Sequence, residues 1–343
     1  MGLGTNQVTT AVANNFIPEL WSDEVIAVYK QKLVLANLVT KISFKGKKGD
    51  TLHIPVPARG SASSKAANTQ VTLIASTNST VDVLIDKHYE YSKLYEDIAE
   101  MQALSSMRKF YTEDAGYALA KQVDQHLHLL GAGFNGGTIS AAAAYEKAVI
   151  GGDGSTNFSG ATPGNGTALT DAGIRRMIQT LEDADLNSDE LSLVIPPVES
   201  NVLRGIARFT EQAFRGDGST ISTGRLGNLY GVEVFTSTNC PWIHVNSVTS
   251  TQSVTFSSTA PTGAAYVDEL GNTVDWSTST PTDTKYRAGM ILHKDAMAHA
   301  EQQGIRSQSQ YKQEYLGTLV TSDTIYGVKE LRDYAALAFV VPA

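Results

Sequence analysis

The amino-acid sequence predicts an α+β fold with long polar extensions leaving a packed centre. Three observations lead there. Residues 106–130 carry apolar side chains at helical spacing. Residues 81–91 alternate strictly between apolar and polar, the period of a half-buried strand. Between the candidate strands at 51–56 and 81–91 lies a stretch, 58–80, that is almost all small or polar, which is long for an ordinary connection inside a compact domain.

Taken in order, the first 15 residues are small and polar and read as a loosely held arm. Pro18 opens a helix, where its missing N–H costs nothing, and Glu19, Asp23 and Glu24 complement the helix dipole. Trp21, Val25, Val28 and Tyr29 then form one apolar stripe that this subunit or a neighbour must cover. Gly46 and Gly49 mark a turn before a short strand, Thr51 to Val56, stopped by Pro55 and Pro57. After the polar excursion, Val81, Val83, Ile85, Tyr89 and Tyr91 share one face of a returning strand, and Asp82, Asp86, His88 and Glu90 the other. Two strands flanking such an excursion make a protruding hairpin, which is marginal alone in water and is expected to lie on another surface.

The helix at 106–130 aligns Tyr111, Ala115, Leu119, Val123, Leu127 and Leu130, with Gly131 as its end signal. It would span on the order of 35 Å at about 1.5 Å per residue. A Gly/Ser/Thr-rich loop follows at 151–168, and Thr170 caps a helix bearing Ile174, Met177, Ile178 and Leu181. Leu191 to Ile195 reads as a buried strand; Pro196-Pro197 leads into a helix through Leu203 and Ile206; Gly231 precedes a strand with Val232 and Val234. Residues 246–284 are rich in Ser, Thr and Pro and read as a β insertion, with Gly271-Asn272 suited to a hairpin turn. Ala288 to Leu292 returns to the core, and the chain finishes with strand-like segments, the last of them the apolar Ala335 to Val341.

Composition narrows function by exclusion. Hydrophobic residues make up 42% and charged residues 18%, which suits a folded chain. The formal charge of -8 argues against a dedicated nucleic-acid binder, since only Lys41, Lys45, Lys47 and Lys48 cluster, and that group reads as a solvated turn or protein contact. The single cysteine, Cys240, leaves no intrachain disulfide. No apolar run approaches the roughly 18 residues of a membrane span, and the N-terminal residues lack the basic start and apolar core of a secretory signal.

Catalytic chemistry is mostly absent. Gly131, Gly133 and Gly136 spell a G-x-G-x-x-G, but a helix precedes it where a dinucleotide site needs a strand. His126 and His128 sit two apart on a helix and cannot share a metal; His293 and His299 lack a ligand spacing. Cys240 has no base partner and reads as a small buried residue. Asp183/Asp185 and Asp189/Glu190 read as solvated charge, and Gly-Asp-Gly-Ser-Thr at 152–156 and 216–220 as turn chemistry. No cofactor, metal site or catalytic residue is expected, and the chain is not expected to be an enzyme.

Read together, these segments resemble the major capsid proteins of tailed bacteriophages, the Hong Kong phage type of shell fold. Phe16 to Trp21 with Lys32 to Val39 is similar to that family's N-arm, and Gly49 to Pro55 to the strand that launches its extended loop. Val81 to Ile85 resembles the returning limb, and Ser106 to Leu130 the spine helix. Leu193 to Pro197 with Leu203, and Gly224 to Val234, are similar to its axial domain, while Met290 through Ala296 fits the return to the peripheral domain.

The resemblance implies an N-terminal arm and helix at 1–43, an extended hairpin loop at 44–85 and a peripheral domain with its spine helix at 86–190. An axial domain at 191–287, with the insertion at 246–284, and return strands at 288–343 complete it. It implies self-assembly into hexamers and pentamers of an icosahedral shell around double-stranded DNA, bound without sequence specificity and with no membrane. A portal protein is an expected companion, and a decoration protein is left open. The absence of a long helical segment before the arm implies a separate scaffolding protein. The place implied is the virion, assembled in the host bacterial cytoplasm. Expected interface residues are Trp21, Val25, Tyr29, Lys45, Lys47, Lys48, Arg59, Lys65 and Gln70. The rival readings are an encapsulin-type compartment shell and, more distantly, a soluble hydrolase or glycan-binding protein.

Overall fold

The structure, a computed structural model, describes residues 33–43, 49–56, 60, 62–71, 73, 79–97, 106–132, 134, 150–154, 167–187, 190–206, 227–246, 253–259, 266–267, 273–274 and 286–343. The expected arm helix with its Trp21 stripe, Gly133 and Gly136, the second Gly-Asp-Gly-Ser-Thr string and the Gly271-Asn272 turn lie outside these.

After a 3-10 turn at Leu35–Asn37 come β1 (Thr40–Ser43), β2 (Thr51–Val56), β3 (Ser79–Leu84), β4 (Lys87–Glu96) and helix α1 (Ser106–Ala132). Next are β5 (Ile150–Gly151), α2 (Asp171–Glu182), β6 (Leu191–Ile195), α3 (Pro197–Arg204), β7 (Asn228–Leu229), β8 (Val232–Thr236) and β9 (Trp242–Asn246). The insertion holds β10 (Ser253–Ser257) and the small pair β11 (Tyr266–Val267) and β12 (Thr273–Val274). The chain closes with β13 (Tyr286–His293), β14 (Met297–Lys312), β15 (Gly317–Glu330) and β16 (Ala336–Pro342).

Two sheets carry the architecture. One runs β1-β14-β15-β4, with β1 parallel to β14 and the other pairs antiparallel. The other runs β10-β9-β13-β6-β8-β7, and β16 joins it by pairing with β13 and β5. The apolar runs at β6, β13 and β16 are its centre: Leu193, Val194, Ile195, Ile291, Phe339 and Val340 are fully buried. The α2 stripe packs there as its spacing requires, with Ile174, Met177, Ile178 and Leu181 buried and Thr170 Oγ1 accepting from Gly173 N at 3.0 Å. A second core, around Leu35, Val39, Leu127, Met290, Leu292 and Met297, joins α1 to both sheets.

Three sequence expectations are corrected in detail. Gly131 does not end α1, which continues to Ala132. A side chain at Gly131 would sit 2.5 Å from the Met290 sulfur, so the glycine serves close packing rather than termination. Pro55 does not stop β2; it pairs with Thr80 inside the strand, tolerated because β2 has no second partner among the described residues. The single strand expected over 81–91 is two strands: β3 pairs with β2, and β4 pairs with β15. The switch falls at Ile85, whose N–H donates to Asp50 O at 2.8 Å. There the chain crosses β15 so closely that a Cβ on Gly327 would lie 2.3 Å from Leu84 O. The alternation of faces survives the break, with Val83 and Ile85 buried and Tyr89 and Tyr91 half-buried.

Candidate assembly surface

The β2–β3 hairpin projects from the body on six residue pairs, Thr51↔Leu84 to Val56↔Ser79. Its root is fixed by Ile85 N to Asp50 O and by Gln302 Nε2 donating to Gly49 O at 3.1 Å. Beyond the paired strands, every described residue from Gly60 to Leu73 is exposed, Lys65 and Gln70 among them. Asn68 takes φ 61° in a turn that Thr69 Oγ1 ties to Ala66 O at 2.7 Å. Val71 and Leu73 are bare, Leu73 at 90% exposure. Two strands with such side chains bury little within the chain, so the hairpin needs an outside surface to lie on. Trp21, Val25, Tyr29, Lys45, Lys47, Lys48 and Arg59 lie outside the described residues.

A second bare region, which reading the sequence missed, is the far end of the four-stranded sheet. β1 covers β14 only from Ala298 to Glu301, and two irregularities, between Glu301 and Gln303 and between Gln303 and Arg306, follow where that cover stops. From there to Lys312 β14 has no strand on its outer edge among the described residues. Tyr311, Tyr315 and Leu316 at the β14–β15 turn, with Leu94 on β4, are all exposed. The one available signal was Tyr315-Leu316, an apolar pair inside a polar stretch beside Gly317. On the face away from α1, Asp323 accepts from Arg306 at 2.8 and 3.1 Å and from Gln303 at 2.9 Å, with His88 Nε2 at 3.3 Å. The Arg306 hydrogen bond, more than the histidine and glutamine, holds the Asp323 carboxyl below the usual range.

The side chains weighed for chemistry have structural surroundings. Burial pushes the Cys240 thiol up to about 12, which makes it a poor nucleophile. His126 and His128 point apart, His126 toward Tyr89 and Tyr326 and His128 into the junction around Asp124. Asp183 and Asp185 lie in the turn after α2, and Gly154 takes φ 71° in the first Gly-Asp-Gly-Ser-Thr turn. An open groove of about 920 Å³ separates Asn37–Lys41 from β6 and the β7–β8 turn. Three of the charges on its rim are occupied: Glu190 holds His293 at 2.8 Å, Asp295 accepts from Thr40 Oγ1 at 3.0 Å and Lys41 donates to Asn37 Oδ1 at 3.0 Å. Among the described residues no three His, Cys, Asp or Glu side chains converge on a metal position, and no helix is long and apolar enough to cross a membrane.

Sequence missed Asp124 altogether. It is fully buried on α1; Oδ1 accepts from Val34 N at 3.1 Å and Leu35 N at 2.9 Å, and Oδ2 from Asn239 Nδ2 at 2.7 Å. One carboxylate therefore ties the end of the N-terminal segment to α1 and to the turn before β9.

A protruding hairpin, a long helix bridging two sheets and a bare sheet end define an α+β fold. It is the fold of phage capsid proteins, which solved structures match over nearly the whole chain. A structure of Mycobacterium phage Che8 is 21% identical, covering 95% of this chain and 97% of its own, with a TM-score of 0.64. The capsid of Cyanophage P-SCSP1u is 17% identical, covering 99% and 97%, with a TM-score of 0.69. The acid-stable capsid of Helicobacter pylori bacteriophage KHP30 is 12% identical, covering 99% and 100%, with a TM-score of 0.65. No protein-family model matches the sequence, and no curated protein matches it.

Proposed function

We propose that this chain is the major capsid protein of a tailed bacteriophage, self-assembling into the icosahedral head shell that encloses the DNA genome. The observation that carries this reading is the likeness, across 95–99% of the chain, to phage capsid structures. The exposed hairpin supports it physically. One sequence must make near-equivalent contacts in fivefold and sixfold rings, and an arm laid over a neighbour adapts to both. Lys65 and Gln70, at the exposed end of that hairpin, act as interface residues in this reading, together with the arm and turn residues expected from the sequence. The role is structural and not enzymatic.

A separate scaffolding protein and a portal are the partners this role calls for, with a decoration protein as an optional addition. Packaged duplex is held without sequence reading, consistent with the net charge of -8. Assembly takes place in the host bacterial cytoplasm and the product is the virion. An enzyme-loaded compartment shell is disfavoured, since the likenesses are to phage structures and to the capsid of a GTA particle.

Negative-stain microscopy of the expressed chain, alone and with its neighbouring reading frames, is the test. Capsomer rings or uniform polyhedra containing nuclease-protected DNA are expected. A chain that stays monomeric on sizing in all these conditions overturns the reading, and particles filled with protein cargo return it to the compartment shell.

A further inference from the structure

Two histidines interrupt the seam between α1 and the four-stranded sheet, and they clamp one tyrosine. Tyr326, on β15, is fully buried. Its hydroxyl lies 2.9 Å from His126 Nδ1, while Tyr89 OH and Gln122 Nε2 lie 3.3 and 3.2 Å from His126 Nε2. The His299 ring also stands 5.8 Å from the Tyr326 ring, and both His299 nitrogens are shut off from solvent with no hydrogen-bond partner among the described residues. A neutral imidazole tolerates this place, but an imidazolium must donate from both nitrogens. Among the described residues His299 has no acceptor to offer a second proton. A charged His126 would have to donate from Nε2 as well, straight at the Gln122 amide N–H that faces that nitrogen, setting two donors against each other.

We propose that this clamp is an acid-sensitive latch: proton uptake by His126 and His299 loosens α1 from the four-stranded sheet. The surrounding charges are mixed. Lys87 on β4 opposes a proton on His126 and Asp86, just before it, favours one; Lys41 on β1, paired with His299 in the ladder, opposes and Glu301 on β14 favours. Burial is the largest influence at both histidines and holds them below their ordinary value of 6.5. Tyr89 and Tyr326 are the titratable side chains in direct contact with His126, and farther along the seam Tyr91 donates to Asp114 while Lys93 lies over the Tyr111 ring. His128, a buried histidine on α1, faces Asp124 and Arg287 at the opposite junction.

The sign follows from linkage. Above about pH 6.5 folded and unfolded chains both hold neutral imidazoles, so there is no penalty. As pH falls below that value the unfolded chain takes up protons that the seam refuses, and stability is lost until pH passes the depressed folded values.

The test compares the full-length chain with a His126→Gln/His299→Gln double variant, taking thermal midpoints at pH 7.5 and 5.5. The wild type is expected to fall by about 5 °C and the double variant by less than half of that. Other titrations, including His128, are common to both chains and cancel. A variant that keeps the whole wild-type drop overturns the proposal. Should the variant not fold, hydrogen exchange on the wild type decides. At pH 5.5, protection is expected to drop in 111–130 and 318–328 but not in 191–195 or 336–342. Unchanged or uniform protection overturns the latch.

Discussion

Asp124 and Asn239 are 115 residues apart in sequence and joined by a 2.7 Å hydrogen bond in a fully buried junction. The same carboxylate receives Val34 N and Leu35 N, so its removal leaves three buried donors unanswered. Asp124→Ala is expected to cost about 3–5 kcal/mol and Asn239→Ala about 1–2 kcal/mol. Denaturant midpoints measure both; equal small effects would contradict a shared hub.

Gly327 and Gly131 both sit where a side chain would collide, yet their neighbours differ. At Gly327 the obstacle is the Leu84 backbone carbonyl; at Gly131 it is the end of the Met290 side chain, which can rotate. Gly327→Ala is expected to lose about 2–3 kcal/mol and to speed proteolysis of the β2–β3 hairpin. Gly131→Ala should stay within about 1 kcal/mol of the parent, helped by alanine's helix preference. Thermal melts and timed digestion read the contrast.

Glu330 provides a pH effect opposite to that of the histidines. Burial first, then a hydrogen bond with Asp333, raises its carboxyl to about 7. A raised carboxyl binds a proton in the fold that the unfolded chain has released, so stability falls as pH rises from about 4.5 to 7. Glu330→Gln keeps a donor toward Asp333 and removes the titration. With solvent screening of this half-exposed site, its melting point should exceed the parent's by about 1–2 °C at pH 8 and match it near pH 5.

Val71 and Leu73 test assembly apart from folding. A Val71→Ser/Leu73→Ser chain should melt where the parent does, because neither side chain packs within the subunit. Its particle yield by sedimentation and microscopy should drop at least about tenfold if the hairpin tip is an anchoring contact. Normal particles would remove the tip from the interface.

How much of this could be read in advance depended on where each segment's partner lies. α2 was legible because Thr170 and the Ile174–Leu181 stripe are local signals. β6 and β16 were legible because strands buried on both faces must be continuously apolar. β14 was not: Gln302, Gln303, Ser307, Gln308, Ser309 and Gln310 have no period, since backbone pairing with β15 and not side-chain burial holds that strand. Asp124 resembles any surface carboxylate on a helix until residues 34, 35 and 239 are brought to it. The projecting hairpin was anticipated from the polar composition of 58–80, but the break at Ile85 was not, because the apolar alternation runs through it without a gap.

That break has a mechanical meaning. The strand leaving the hairpin is the same covalent chain that enters the four-stranded sheet, where Lys87 to Glu96 pair with Tyr326 to Gly317. A pull on the hairpin along the strand direction therefore loads that whole ladder at once, in shear, instead of peeling it open rung by rung. The projecting part is slight, but its anchorage is among the longest strand pairings in the molecule.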